Sequence, residues 1–172
     1  MAVARKVLKP PLSIHRGAAL LYQVTVDNNL SPTVDVRDPR RGNSAFQTDL
    51  CIFEKKTDSV SIPRVVLEFK TKISTHDVIT YSAKATKHKQ VYPYLRYGIV
   101  ASDHTAVPGR LFTHNESLDF CATVAGLKGS KLREFFAFLM AAETQASRRL
   151  EAIAFGSVRT RLFRTEVMLY AP

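Results

Sequence analysis

Asp49, Glu68 and Lys70 are the residues of this chain best equipped for chemistry. Each is ionisable, and each interrupts a segment that otherwise reads as a buried strand: Ala-Phe-Gln-Thr-Asp-Leu-Cys-Ile-Phe over 45–53, and Val-Val-Leu-Glu-Phe-Lys within 62–72. Strand side chains alternate between faces, so Glu68 and Lys70 share one face while Leu67 and Phe69 share the other. If the two segments pair, Asp49 joins Glu68 and Lys70 at one point. Two carboxylates and an ammonium withdrawn from water cost several kcal/mol unless they are paired or bind a cation. A divalent metal is the natural compensation.

The elements that must position this triad follow from periodicity and from breaking residues. The first stretch, 1–12, reads as a basic arm ending at Pro10-Pro11, and Ser13 is expected to cap a helix over 14–23. Tyr22, Val24 and Val26 also alternate as a strand would. Strands are expected over 33–37, 45–54 and 62–72, joined by polar turns. Ser74 and Asp77 have capping-box spacing and open a helix that Pro93 should end. Residues 97–101 form a short buried strand, and 118–124 another. A long helix over 131–154 carries an apolar stripe through Leu132, Phe135, Phe136, Leu139, Met140, Leu150 and Ile153. Residues 161–170 read as a terminal strand.

Composition narrows the partners. The 172 residues suit one ordinary domain, and 45% hydrophobic with 23% charged residues argues against disorder. No run approaches the ~20 apolar residues of a membrane span, and the N-terminus lacks the apolar region of a signal peptide. The expected location is cytoplasmic, with no membrane partner. The 25 Lys and Arg against 15 Asp and Glu give a net charge of +10, which favours a polyanion, nucleic acid first. Cys51 and Cys121 stand far apart among apolar neighbours and read as buried free thiols.

Here the chain resembles the PD-(D/E)XK nuclease superfamily, whose pattern is an Asp on the second core strand and Glu-X-Lys on the third. Asp49 matches the first position and Glu68-Phe69-Lys70 the second, with Thr48 in place of the nominal Pro. A further likeness is to the Gln-x-x-x-Tyr motif of RecB-type nucleases, matched by Gln90-Val91-Tyr92-Pro93-Tyr94. The acidic residue often supplied by the first helix has no clear match; Asp27 is nearest.

The resemblance implies an α/β, restriction-endonuclease-like fold: a mixed central sheet flanked by helices in the order αβββαβ, plus a long C-terminal helix and strand. The catalytic core would cover 13–102, and 103–172 would complete it. It also implies a Mg²⁺-dependent DNA nuclease, with Mn²⁺ as a substitute ion. Asp49, Glu68 and the Phe69 backbone carbonyl would be ligands, and Lys70 would orient or deprotonate the water. Lys84, Lys87, Gln90 and Tyr94 on the helix side, and Arg40 and Arg41 in the turn near Asp49, are candidates for nucleic-acid contact. Arg37, His88 and Lys89 are further basic candidates. One such site cuts one strand, so double-strand cleavage implies a homodimer or sequential nicking. A non-catalytic DNA-binding or scaffold protein and an RNA-directed nuclease remain the alternatives.

Overall fold

The computed structural model describes residues 8–40, 42 and 44–168. The elements run β1 (Leu12–Arg16), β2 (Ala19–Leu21), β3 (Ala45–Gln47), β4 (Leu50–Lys55), β5 (Ser61–Lys70), α1 (Thr75–Val91), β6 (Arg96–Ala101), α2 (Gly109–His114), β7 (Phe120–Thr123) and α3 (Gly129–Phe155). The fold is α/β around a five-stranded mixed sheet in the order β1-β4-β5-β6-β7. Strands β1, β4 and β5 are successively antiparallel, while β6 and β7 lie parallel to β5. Strands β2 and β3 form a separate antiparallel pair.

Strand β5 is central and covered on both faces, so residues 63–68 are all buried. Its alternation divides the core in two. Val66 packs with Cys51, Ile99 and the α1 residues Val78 and Ala85. Val65 and Leu67 pack with Leu50, Ile52, Val100 and the α3 residues Leu139 and Met140. Helix α1 therefore covers one face and α3 the other. A parallel β5–β6 pair requires a crossover, and α1 supplies it.

Helix α1 begins where its cap dictates. The Ser74 hydroxyl accepts from the Asp77 amide at 3.1 Å, and the Asp77 carboxylate accepts from the Ser74 amide at 2.9 Å. The helix stops at Val91, just before Pro93, which has no N–H to continue the ladder. Helix α3 is tied to the sheet by ions. Arg64, fully buried, donates to Glu54 at 2.6 Å and to Glu151 at 2.5 Å, and Arg148 donates to Glu54 from above. A buried guanidinium persists only with such paired carboxylates around it.

Several expectations from the sequence need correction. The helix over 14–23 is absent: β1 and β2 occupy that stretch, separated at Gly17, whose φ of +66° suits glycine. Pairing of β1 with β4 overrides the local capping signal. Residues 33–37 form no strand; the nearby backbone makes only an isolated bridge between Val26 and Pro32. The expected strand over 45–54 is two, β3 and β4, with the break at Thr48 and Asp49. The sheet meander is consequently β1–β4–β5 rather than 33–37 with its neighbours. Residues 161–168 are not a strand, and 169 and 170 lie outside the described residues, as do residues 1–7 of the basic arm. Helix α2 was not foreseen. No helix among the described residues is long and apolar enough to cross a membrane.

The sheet leaves little slack beside Tyr97. A Cβ on Gly98 would stand 2.3 Å from the Phe120 ring and 2.5 Å from its carbonyl oxygen, so β6 and β7 approach closely only because Gly98 lacks one. Gly98→Ala is expected to lower stability by about 1–3 kcal/mol, seen as a lower urea midpoint at unchanged slope.

Candidate metal centre

The register of β4 and β5 brings the two acids together. Leu50 pairs with Leu67, so Asp49, one residue before β4, lies beside Glu68. The Asp49 amide donates to Glu68 Oε2 at 3.2 Å, and Asp49 Oδ2 accepts from the Phe69 amide at 2.8 Å. Asp49 is exposed, whereas Glu68 is only 2% exposed. Tyr97 on β6 donates its hydroxyl to Glu68 Oε1 at 2.5 Å. Burial pushes the Glu68 pKa up, and the Asp49 charge adds to the rise; the Tyr97 hydroxyl and the Lys84 ammonium work against it. The Tyr97 hydroxyl itself is driven far above its ordinary range, first by burial and then by the Glu68 charge, so it remains a donor.

Lys70 shares the Glu68 face but reaches toward α1. Its ammonium lies 3.1 Å from Asp77 Oδ1 and 4.9 Å from the centre of the Tyr81 ring. The Tyr81 hydroxyl and then Asp77 raise the Lys70 pKa, against the opposing effect of burial. Lys70 is accordingly a fixed positive charge at neutral pH. Lys84, one turn further along α1, stands 3.8 Å from Glu68 Oε1 and within 5.1 Å and 5.8 Å of the Tyr81 and Phe46 ring centres. Asp77, Tyr81 and Lys84 follow helical spacing, so one face of α1 closes over the ends of β4 and β5.

The donor set suits a hard divalent ion. Asp49 and Glu68 offer carboxylate oxygens, one of them buried with its charge only partly offset, and the exposed Asp49 leaves the centre accessible to water. The Phe69 side chain lies on the opposite face near Phe136, at 6.4 Å between ring centres, so Phe69 can face the centre only through its backbone. Among the described residues, no group of three or more His, Cys, Asp or Glu side chains is placed to hold a metal. Any ion here would rest on two protein carboxylates, the small number typical of Mg²⁺ sites. Beside Asp49 opens a cleft of about 620 Å³, lined by Arg16, Phe46, Gln47, Thr48 and Lys84 among others.

The remaining candidates divide. Lys84 is in the centre. Lys87 and Gln90 are exposed on α1 but turned from the face that carries Asp77, Tyr81 and Lys84. Tyr94 does not join them. It lies past the end of α1, buried beneath Phe155 at 6.0 Å and the Arg64 guanidinium at 5.4 Å, because Pro93 diverts the chain. Arg40 is exposed and paired with Asp38 at 3.1 Å, in the turn that leads to the cleft residue Gly42. Arg37 is also exposed, and Arg41 lies outside the described residues. His88 cannot grip phosphate: its ring is wholly buried against Tyr97, and burial pulls its pKa down to about 4. Lys89 is tied to Asp119 at 2.7 Å and to the Ser117 carbonyl at 2.6 Å.

Sequence reasoning missed Tyr81, Arg16, the bond of Tyr97 to Glu68 and the contact of Asp77 with Lys70. The i, i+4, i+7 spacing of Asp77, Tyr81 and Lys84 was the available signal for the helix face. Tyr97 had none, because its role depends on the β5–β6 register. The chain matches no protein-family model and no curated protein sequence.

The raised pKa of Glu68 has a sign that can be tested. The folded state holds the proton more tightly than the unfolded chain, so this contribution to stability is complete below the ordinary value of 4.5 and is lost as pH rises through the folded value. In metal-free buffer, Glu68→Gln is expected to stabilise the protein, and by more at pH 7 than at pH 4. Urea midpoints at the two pH values measure it; an equal or smaller gain at pH 7 contradicts the assignment.

Proposed function

We propose that the protein is a Mg²⁺-dependent DNA nuclease of the PD-(D/E)XK type. The observation that carries this reading is the pairing of Asp49 with Glu68, with Lys70 on the same face of β5 as Glu68 and held by Asp77, beside a cleft lined by Asp49, Arg16 and Lys84. The element order adds support: an antiparallel β1–β4–β5 meander, the helix α1, then β6 parallel to β5. Asp49 stands at the head of the second meander strand and Glu68-Phe69-Lys70 at the end of the third, as the resemblance requires. The net charge of +10 suits a polyanionic substrate.

A bound Mg²⁺ would neutralise charge on the scissile phosphate and make its coordinated water more acidic. The protein's own residues divide the remaining work. Asp49 and Glu68 would hold the ion, and Tyr97 and the Asp49 amide keep the Glu68 carboxylate in one orientation. Lys70, anchored by Asp77 and kept protonated, orients the attacking water and offsets charge that develops on the phosphate. Arg16 and Lys84, which line the cleft, contact the phosphates beside the cut.

One observation favours the rival, a non-catalytic DNA-binding protein: each charge already has a partner within the protein, Lys70 with Asp77 and Glu68 with Tyr97 and Lys84. Purified protein incubated with supercoiled plasmid decides between the readings. With Mg²⁺ we expect nicking that EDTA abolishes and that Asp49→Asn or Lys70→Ala lowers by roughly 10²–10³-fold, with duplex binding retained. Binding without nicking by any form supports the rival. Cleavage of RNA but not of DNA redirects the substrate assignment.

A further inference from the structure

Lys84 occupies a position that the nuclease reading uses but does not explain. Its ammonium is 3.8 Å from the buried Glu68 Oε1, and it also lines the cleft beside Asp49. Its side chain is about one quarter exposed, held loosely between the Tyr81 and Phe46 rings rather than locked by a short hydrogen bond. Glu68 has no closer positive charge among the described residues: Lys70, two residues away on the same face, is committed to Asp77. Among the described residues, Lys84 is the nearest ammonium to Glu68, and its one ion pair is with that carboxylate.

We propose that Lys84 is a resident counter-charge for Glu68, standing in for the cation in the metal-free protein and passing to a substrate phosphate in the cleft once the cation binds. The inference rests on the proposed nuclease reading and assigns an order of events to it. Electrostatics requires the exchange. A buried carboxylate is costly without positive charge nearby, so the empty centre gains from the ammonium. A divalent ion at Asp49 and Glu68 repels that ammonium, twice as strongly as a single charge would. The cleft is the open direction, and a phosphate there is the matching partner. Metal and DNA binding would then be coupled through one side chain, each favouring the other, by the reciprocity that linkage imposes.

The test uses metal affinity and duplex binding, both independent of turnover. Mn²⁺ is titrated into metal-free wild type, Lys84→Met and Lys84→Arg by calorimetry. Lys84→Met is expected to bind Mn²⁺ roughly three- to tenfold more tightly than wild type, since the competing charge is gone, while Lys84→Arg stays near wild type. Anisotropy of a labelled duplex forms the second arm. In EDTA, Lys84→Met and wild type should bind DNA alike; in Ca²⁺, which also takes oxygen ligands, the variant should bind several-fold more weakly. Unchanged Mn²⁺ affinity in Lys84→Met, equal tightening in Lys84→Arg, or a DNA defect of the same size in EDTA and Ca²⁺ overturns the proposal alone. Failure of wild type and both variants to bind Mn²⁺ removes the nuclease reading and this inference together.

Discussion

The carboxylate of Glu68 is nearly sealed from water at the junction of β4, β5, β6 and α1, and the site around it is organised by that burial. An ionised group in such a place must be met by donors and positive charge. Tyr97 meets it from β6, the Asp49 amide from the head of β4, and Lys84 from α1 at a looser 3.8 Å. These contacts do not cancel the cost, because the carboxyl still holds its proton more tightly than in water. Two carboxylates side by side, one of them buried, are the physical basis for reading the centre as a cation site.

The same geometry makes α1 part of the site as well as a cover for the sheet. Only residues 71–74 separate Lys70 from the first turn of α1, and Asp77 serves both ends of that connection. It closes the capping box with Ser74 and pairs with the Lys70 ammonium. Helix position and lysine position are therefore set by one carboxylate. The seating of α1 is fixed in turn by Val78 and Ala85 against Val66 and Ile99. On the other face, α3 is held to the sheet by apolar packing and by the Arg64–Glu54–Glu151 cluster.

Strand β5 was legible in the sequence because its apolar run is long and its polar exceptions fall two apart. The capping box, the stop at Pro93 and the long C-terminal helix were legible for similarly local reasons. The N-terminal third was not. Ser13 resembles a cap and Ala18, Leu21 and Tyr22 have helical spacing, yet these residues go into two strands whose partners, 50–54 and 45–47, are distant in sequence. Long-range pairing overrode a weak local preference. Tyr94 shows the converse error: a motif spacing that assumes helix fails where Pro93 ends it, and the ring goes into the core beside Arg64. Asp49 and Glu68 could be named from their apolar surroundings. Their shared hydrogen bonds, and the partners Tyr97 and Tyr81, follow only from register and helix docking.

The central claim is that Asp49 and Glu68 hold one divalent ion between them. Crystals grown without metal and then soaked in Mn²⁺ would address it through anomalous scattering. The account predicts a single strong anomalous peak within coordination distance of both carboxylates, with the Lys84 ammonium displaced from Glu68. Clear density for both side chains without a peak between them, or manganese bound only elsewhere on the surface, would contradict it.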